Sequence, residues 1–199
     1  MDRSELTELH YITAISNLPS MLEHGLLSHE RAATVSHLSV AMEAIQARRS
    51  MKKVPGGRSL HEYVNLYING RNVMLSKVLH GSSIDEVCVL RVSPGVIDLP
   101  RVVITDQNAA SDYVRFADAS AGLALVHRDT VFAEYWAHPD DQIAEWRHKS
   151  AMCAEVLVPE TVVPDLVIGA YVGTKKAGRN VKAVAAGLAV SLNEYMFFK

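Results

Sequence analysis

Met152-Cys153-Ala154-Glu155-Val156-Leu157-Val158 sets one acid inside an otherwise apolar run, and a run of this length and composition reads as a buried strand. Side chains alternate along a strand, so Cys153, Glu155 and Leu157 share one face while Ala154, Val156 and Val158 share the other. Glu155 is therefore surrounded by apolar neighbours. A carboxylate in that position loses its hydration at considerable cost unless it is paired or faces a wet cleft. Taken alone, a strand-end salt bridge explains it better than a catalytic role does. Arg71 poses the same choice, because a Gly-Arg pair at a strand end can anchor a phosphate or carboxylate or simply project into water.

Working outward, residues 166–172 form a second buried strand, parted from the first by a loop containing Pro159 and Pro164. Upstream, strands are predicted over 9–13, 62–69, 86–92 and 102–105, the last two separated by a Pro94-Gly95 turn. A short helix is predicted over 18–24, with Asn17 as its N-cap, Pro19 in its first turn and Gly25 closing it. Apolar spacing predicts a longer helix over 36–51, ended by Pro55-Gly56-Gly57. Further helices are expected around 108–116, 129–135 and 181–192. The order mixes strands and helices without regular βαβ repetition, which favours an α+β fold over a doubly wound sheet. At 199 residues the chain suits one domain with one active site.

Composition narrows the chemistry. A hydrophobic fraction of 49% with 21% charged residues excludes a disordered chain. No apolar stretch approaches a membrane span, and Met-Asp-Arg-Ser-Glu-Leu lacks the pattern of a signal peptide, so a cytoplasmic protein without a membrane partner is expected. Cys88 and Cys153, each in an apolar run, read as reduced core residues. The nine histidines show no paired-ligand spacing, and no metal is expected. A net charge of -2 gives no global attraction to nucleic acid, so any such interaction must be local. Arg48, Arg49, Lys52, Lys53 and Arg58 form the best basic segment, with no acid from Ala47 to Arg58; a solvated helix end and loop would account for it too. Trp136 and Tyr135, with Arg147, His148 and Lys149, offer stacking and phosphate contacts to a single strand or, for the Trp, core packing.

Four blocks in order resemble the DarT family of NAD-dependent ADP-ribosyltransferase toxins. They are Tyr11-Ile-Thr-Ala-Ile-Ser-Asn17-Leu-Pro-Ser-Met-Leu-Glu-His-Gly25, then His61-Glu-Tyr-Val-Asn-Leu-Tyr-Ile-Asn-Gly-Arg71-Asn-Val-Met74-Leu, then Thr105-Asp-Gln-Asn108-Ala-Ala-Ser111, and finally Ala154-Glu155-Val-Leu-Val158. The resemblance runs from about residue 9 to the C-terminus. It implies an ADP-ribosyltransferase-like fold over 1–199, with a central mixed sheet flanked by helices. It implies NAD as co-substrate, transfer of ADP-ribose to a base in single-stranded DNA with release of nicotinamide, and a protein antitoxin as partner.

Carried over residue by residue, the resemblance gives Glu155 the catalytic glutamate role and Arg71 a part in NAD binding and catalysis, with Thr13 and Asn17 on the nicotinamide and ribose side. The family's histidine before Ile-Thr is replaced by Tyr11, with His10 one residue earlier, so either can take its place. Arg49, Lys52, Lys53, Arg147 and Lys149 are the candidates for nucleic-acid contact. Packing explains His10 and Tyr11 equally well, capping explains Asn17, and a turn and cap explain Asp106 and Asn108. The chemistry suits these residue types, because cleaving the nicotinamide glycosidic bond builds positive charge on the ribose that a carboxylate stabilises. Departures around Arg71 leave RNA open as an alternative acceptor, which differs by a 2′-hydroxyl. A non-catalytic NAD-binding interaction domain is the remaining alternative, although it would have no chemical need for a desolvated carboxylate.

Overall fold

The computed structural model describes residues 1–40 and 43–199. In chain order its elements are β1 (Leu9–Ala14), α1 (Leu18–His24), β2 (Leu26–Leu27), α2 (His29–Ala32), α3 (Glu43–Met51), β3 (Tyr63–Tyr67), α4 (Val73–Gly81), β4 (Val87–Val92), β5 (Val103–Thr105), β6 (Phe116–Asp118), α5 (Ala119–Gly122), α6 (Arg128–Val131), α7 (Gln142–Ala151), β7 (Glu155–Pro159), β8 (Thr161–Val162), β9 (Val167–Val172), α8 (Lys175–Val184) and β10 (Val190–Leu192). Among the described residues eight strands form one sheet in the order β10-β9-β4-β1-β3-β7-β5-β6, and β2 pairs with β8 apart from it. β10 runs parallel to β9 while the other neighbours are antiparallel. The α+β fold with a mixed sheet and flanking helices is the architecture expected from the sequence.

Alternation along the central strands divides the core. Val64, Leu66, Val156, Val158, Leu90 and Val92 bury one face of the sheet in the main apolar cluster, and Tyr67, Ile12, Val89 and Cys153 contribute to a second cluster with α4 on the other face. Cys88 and Cys153 are free and buried, and burial pushes each thiol up to about 12, which keeps them protonated and inert.

One irregularity in the sheet makes the cleft. β1 lies against β4 along its whole length, from Leu9↔Val92 to Ala14↔Val87, but it meets β3 only at His10↔Tyr67. Beyond that pair β1 and β3 part, leaving a split in the middle of an otherwise continuous sheet. β3 stays in register with β7 instead, from Tyr63↔Pro159 to Tyr67↔Glu155.

Several predicted elements are displaced. The helix expected over 36–51 is α3, Glu43–Met51; 36–40 are not helical, and Ala41 and Met42, which that prediction included, lie outside the described residues. The helix expected over 108–116 is replaced by turns leading into β6, because Asp106 and Asn108 spend their side chains on Arg115 and Ala110 backbone N–H groups. The helix expected over 181–192 begins earlier, at Lys175, capped by the Thr174 hydroxyl, and 190–192 become β10. Asn17 precedes α1 but makes no side-chain cap bond. Helix α4, unforeseen, starts where the Asn72 side chain accepts from Met74 and Leu75 N–H at 2.9 and 3.0 Å.

Gly25 ends α1 at φ +84°, and a Cβ there would lie 2.3 Å from the Val162 carbonyl oxygen. Both the left-handed backbone and the close approach of β8 require glycine. Gly25→Ala should lower stability by about 3 kcal/mol, read by urea unfolding; an unchanged midpoint would refute this account of the turn.

Candidate active site

Glu155 begins β7 and has no exposed surface. Its carboxylate accepts two bonds from Nη1 of Arg49, at 3.2 and 3.0 Å, and a third from the Ala109 backbone N–H at 3.0 Å. Arg49, only 4% exposed, comes from the last turn of α3. Ala109 is aimed by its neighbours: Asn108 N–H donates to the Ser150 carbonyl, and the Asn108 side chain accepts from Ala110 N–H, so the N–H between them turns inward. Glu155 N–H in turn donates to Thr105 Oγ1 at 3.1 Å. The acid is thus paired and its oxygens are hydrogen-bonded, the condition under which a fully buried carboxylate is tolerated.

The cleft occupies the split in the sheet. One wall is Tyr11, Ile12 and Thr13 of β1, the opposite wall Tyr63, Asn65 and Tyr67 of β3, and the roof Ile45, Gln46 and Arg49 of α3 together with residues 35–40. Asn17 fixes part of that roof: its Nδ2 donates to the Leu38 carbonyl at 2.8 Å and its Oδ1 accepts from Leu38 N–H at 2.8 Å, as a strand neighbour would. Nδ2 also lies 3.2 Å from Thr13 Oγ1. Burial raises the phenol of Tyr67 well above its ordinary value, with the nearby Glu155 adding to the effect, and burial raises Tyr11 as well. Both phenols therefore stay neutral. Burial lowers His29 and His61, whose rings stack at 4.1 Å beside the cleft. No Asp or Glu lines the cleft itself among the described residues; Glu155 lies behind Arg49, which does.

Of the residues singled out in the sequence, Tyr11, Thr13, Asn17 and Arg49 line this cleft, while Glu155 lies behind Arg49 with no exposed surface. Arg71 and His10 do not line it. Arg71 donates from Nε to the Tyr195 carbonyl and from Nη1 to the Glu134 carbonyl, both at 3.1 Å, with the rings of Tyr195 and Phe198 4.6 and 4.4 Å from its guanidinium. It clasps the C-terminal segment instead of reaching Glu155. His10 turns away toward Glu8, 3.2 Å from its carboxylate. Its ring also packs on Gly70, where a Cβ would lie 2.9 Å from it and 2.8 Å from Met196 Cε, so both side chains crowd that position. Of the two residues at the family histidine's place, the structure puts Tyr11 in the cleft.

The basic residues separate as well. Arg49 is an interior partner of Glu155 and not a member of a surface patch. Lys52 pairs with Asp112 at 2.8 Å, Lys53 bridges to Ser59 through its backbone, Lys149 pairs with Glu145 one turn away, and Arg147 is exposed on α7. Trp136 packs edge-on against Phe198, while Tyr135 is exposed. The sequence signal for Arg49 was its place on α3: it follows Ile45 by four residues, on the side of the helix that faces the cleft.

Comparison with known proteins gives the family and the fold. The family described as ssDNA thymidine ADP-ribosyltransferase, DarT, matches residues 10–197. A DNA ADP-ribosyl transferase-DNA ADP-ribosyl glycohydrolase fusion protein of Thermosipho africanus is 32% identical over 179 residues, 88% of this chain but 45% of the relative. The chain thus spans less than half the length of that protein. A DNA ADP-ribosyl transferase of Thermus sp. (strain 2.9) is 31% identical over 147 residues, 69% of this chain and 70% of the relative. The solved structure of Thermus sp. 2.9 DarT in complex with ADP-ribosylated ssDNA matches with a TM-score of 0.85 at 26% identity, covering 97% of each chain. The family match covers nearly the whole chain, which places it among proteins of a family described as ADP-ribosyltransferases. That family is DarT, and the chain belongs to it.

Removing one partner of a buried ion pair leaves the other charged without compensation, at about 3–5 kcal/mol. Arg49→Met should therefore be strongly destabilised in urea unfolding, and Arg49→Met combined with Glu155→Gln should recover much of the loss. Equal stability of the single variant and the wild type would show that the pair does not form.

Proposed function

We propose that this chain transfers ADP-ribose from NAD to thymidine in single-stranded DNA and releases nicotinamide. The observation that carries the reading is the Arg49–Glu155 pair at the end of the split-sheet cleft, in a member of a family described by that reaction. NAD fits the cleft with its reacting ribose toward Glu155. As the C1′–N bond breaks, nicotinamide leaves with the bonding pair and positive charge develops on the ribose, which the carboxylate stabilises in a site screened from water. A thymine ring nitrogen then forms the new bond to C1′, and its proton passes to Glu155 and on to solvent. Arg49 holds the Glu155 carboxylate in place before reaction and can shift to the anionic base as its proton leaves. Tyr11, Thr13 and Asn17 hold the nicotinamide side of the cleft.

Residues 1–199 act as one transferase unit in this reading, and the place of action is the cytoplasm. No helix among the described residues is long and apolar enough to cross a membrane. The Thermosipho relative joins a transferase to a DNA ADP-ribosyl glycohydrolase, which supports a partner of the same chemistry here, an antitoxin that removes the ADP-ribose this chain adds. Lys52, Lys53, Arg147 and Lys149 remain the candidates for contact with the strand's phosphates.

Incubation with labelled NAD and single-stranded oligonucleotides, with and without thymidine, tests the reading. A covalent adduct should form only on thymidine-containing DNA, and Glu155→Ala and Arg49→Ala should each lower its rate by about 10²–10³-fold or more. Arg71→Ala, if folded, should retain most of the rate. Modification of matched RNA with none of DNA would move the acceptor to RNA, and NAD binding without nicotinamide release on any acceptor would leave a binding domain.

A further inference from the structure

Two polar atoms on the cleft side of α3 are buried and have no hydrogen-bond partner among the described residues: Oε1 of Gln46 and Nη2 of Arg49. The residues are three apart, so their side chains leave one side of the helix about 4.5 Å apart along its axis. Both line the cleft. One atom is an acceptor and the other a donor, and buried groups left in this condition are satisfied when a ligand of complementary pattern arrives. Their positions are set beforehand. The last turn of the helix that carries both is fixed by Arg49 on Glu155.

Glu155, by contrast, offers little to a ligand in this arrangement. Both of its oxygens accept from Arg49, and one accepts from Ala109 too. Gln46 Oε1 is instead a buried acceptor on a residue that lines the cleft and has no partner among the described residues. Phosphate oxygens cannot use it, since they carry no proton to donate. A hydroxyl satisfies either end of the Gln46 amide, and an adjacent hydroxyl oxygen accepts from Arg49.

Resting on the reading of this cleft as the NAD site, we propose that Gln46 and Arg49 together hold the 2′,3′-diol of the ribose that bears nicotinamide. One hydroxyl donates to Gln46 Oε1, and the neighbouring oxygen accepts from Arg49 Nη2. Arg49 thus joins the reacting ribose to Glu155, and Gln46 sets the turn of the sugar against it. No bond forms or breaks at Gln46; it is a binding residue that selects an intact diol.

Calorimetric titration of the wild type, Gln46→Leu and Gln46→Glu with NAD, with analogues lacking the 2′- or 3′-hydroxyl of the nicotinamide ribose, and with nicotinic acid adenine dinucleotide tests this. Gln46→Leu should bind NAD about 10-fold more weakly than the wild type, while Gln46→Glu, which keeps an acceptor, should stay within about 3-fold. Against one of the two deoxy analogues Gln46→Leu and the wild type should bind alike, because the lost partner is already missing. A Gln46→Leu variant that is folded by circular dichroism and binds NAD as well as the wild type overturns the proposal. So does a loss of the same size against both deoxy analogues, or a difference removed only by the nicotinic acid analogue, which would place Gln46 on the carboxamide. Failure of the wild type to bind NAD at all overturns the NAD-site reading along with it.

Discussion

The site depends on one interaction, the ion pair between Arg49 and a Glu155 carboxylate that has no contact with solvent. A buried acid there is tolerable only if its oxygens are filled, and two elements distant in sequence fill them, α3 through Arg49 and the turn at 108–110 through the Ala109 N–H, while the Glu155 backbone is anchored on Thr105. A pair of this kind adds little net stability compared with a well-packed apolar core. Its effect is to fix geometry. α3 cannot move away from β7 without abandoning a buried charge, so the roof of the cleft and its catalytic end are held together.

The cleft itself comes from an omission in the sheet. β1 is committed to β4 and β3 to β7, and the single β1–β3 pair leaves backbone and side chains on both sides of the split facing open space. Such groups need partners. Asn17 supplies one set by treating Leu38 as a strand would, and thereby draws residues 35–40 across the opening. A gap in strand pairing thus becomes an enclosed binding site, and the same side chain that was a plausible helix cap is used to close it.

Glu155 stood out in the sequence because an acid in an apolar strand contradicts the local pattern; the strand alone favoured a salt bridge, and the structure has that ion pair, with Arg49. The alternation that put Cys153, Glu155 and Leu157 on one face holds in the structure, as do the strand order's mixed character and the positions of β1, α1 and β9. Arg49 was not legible in its role, because a pair of adjacent arginines followed by lysines reads as a solvated basic segment, and charge alone does not say which member turns inward. That depends on where α3 lands against β7, a contact across 106 residues. Arg71 illustrates the opposite error: its surroundings in sequence suggested a ligand, whereas two aromatic rings and two carbonyls near the chain's end occupy it.

The contrast between the two arginines follows from what each lacks. Arg71 has its Nε and Nη1 donating to carbonyls and two rings near its guanidinium, an arrangement that ties segments together. Arg49 gives Nη1 to the carboxylate and keeps Nη2 buried without a partner. A donor held in that state inside a cleft is pre-organised for a ligand, since the cost of burying it is met by the fold before binding and recovered on binding. For a reaction that builds charge on a sugar and then removes a proton from a base, a cation able to exchange one oxygen partner for another is worth more than one fully engaged, and α3 is the element that provides it.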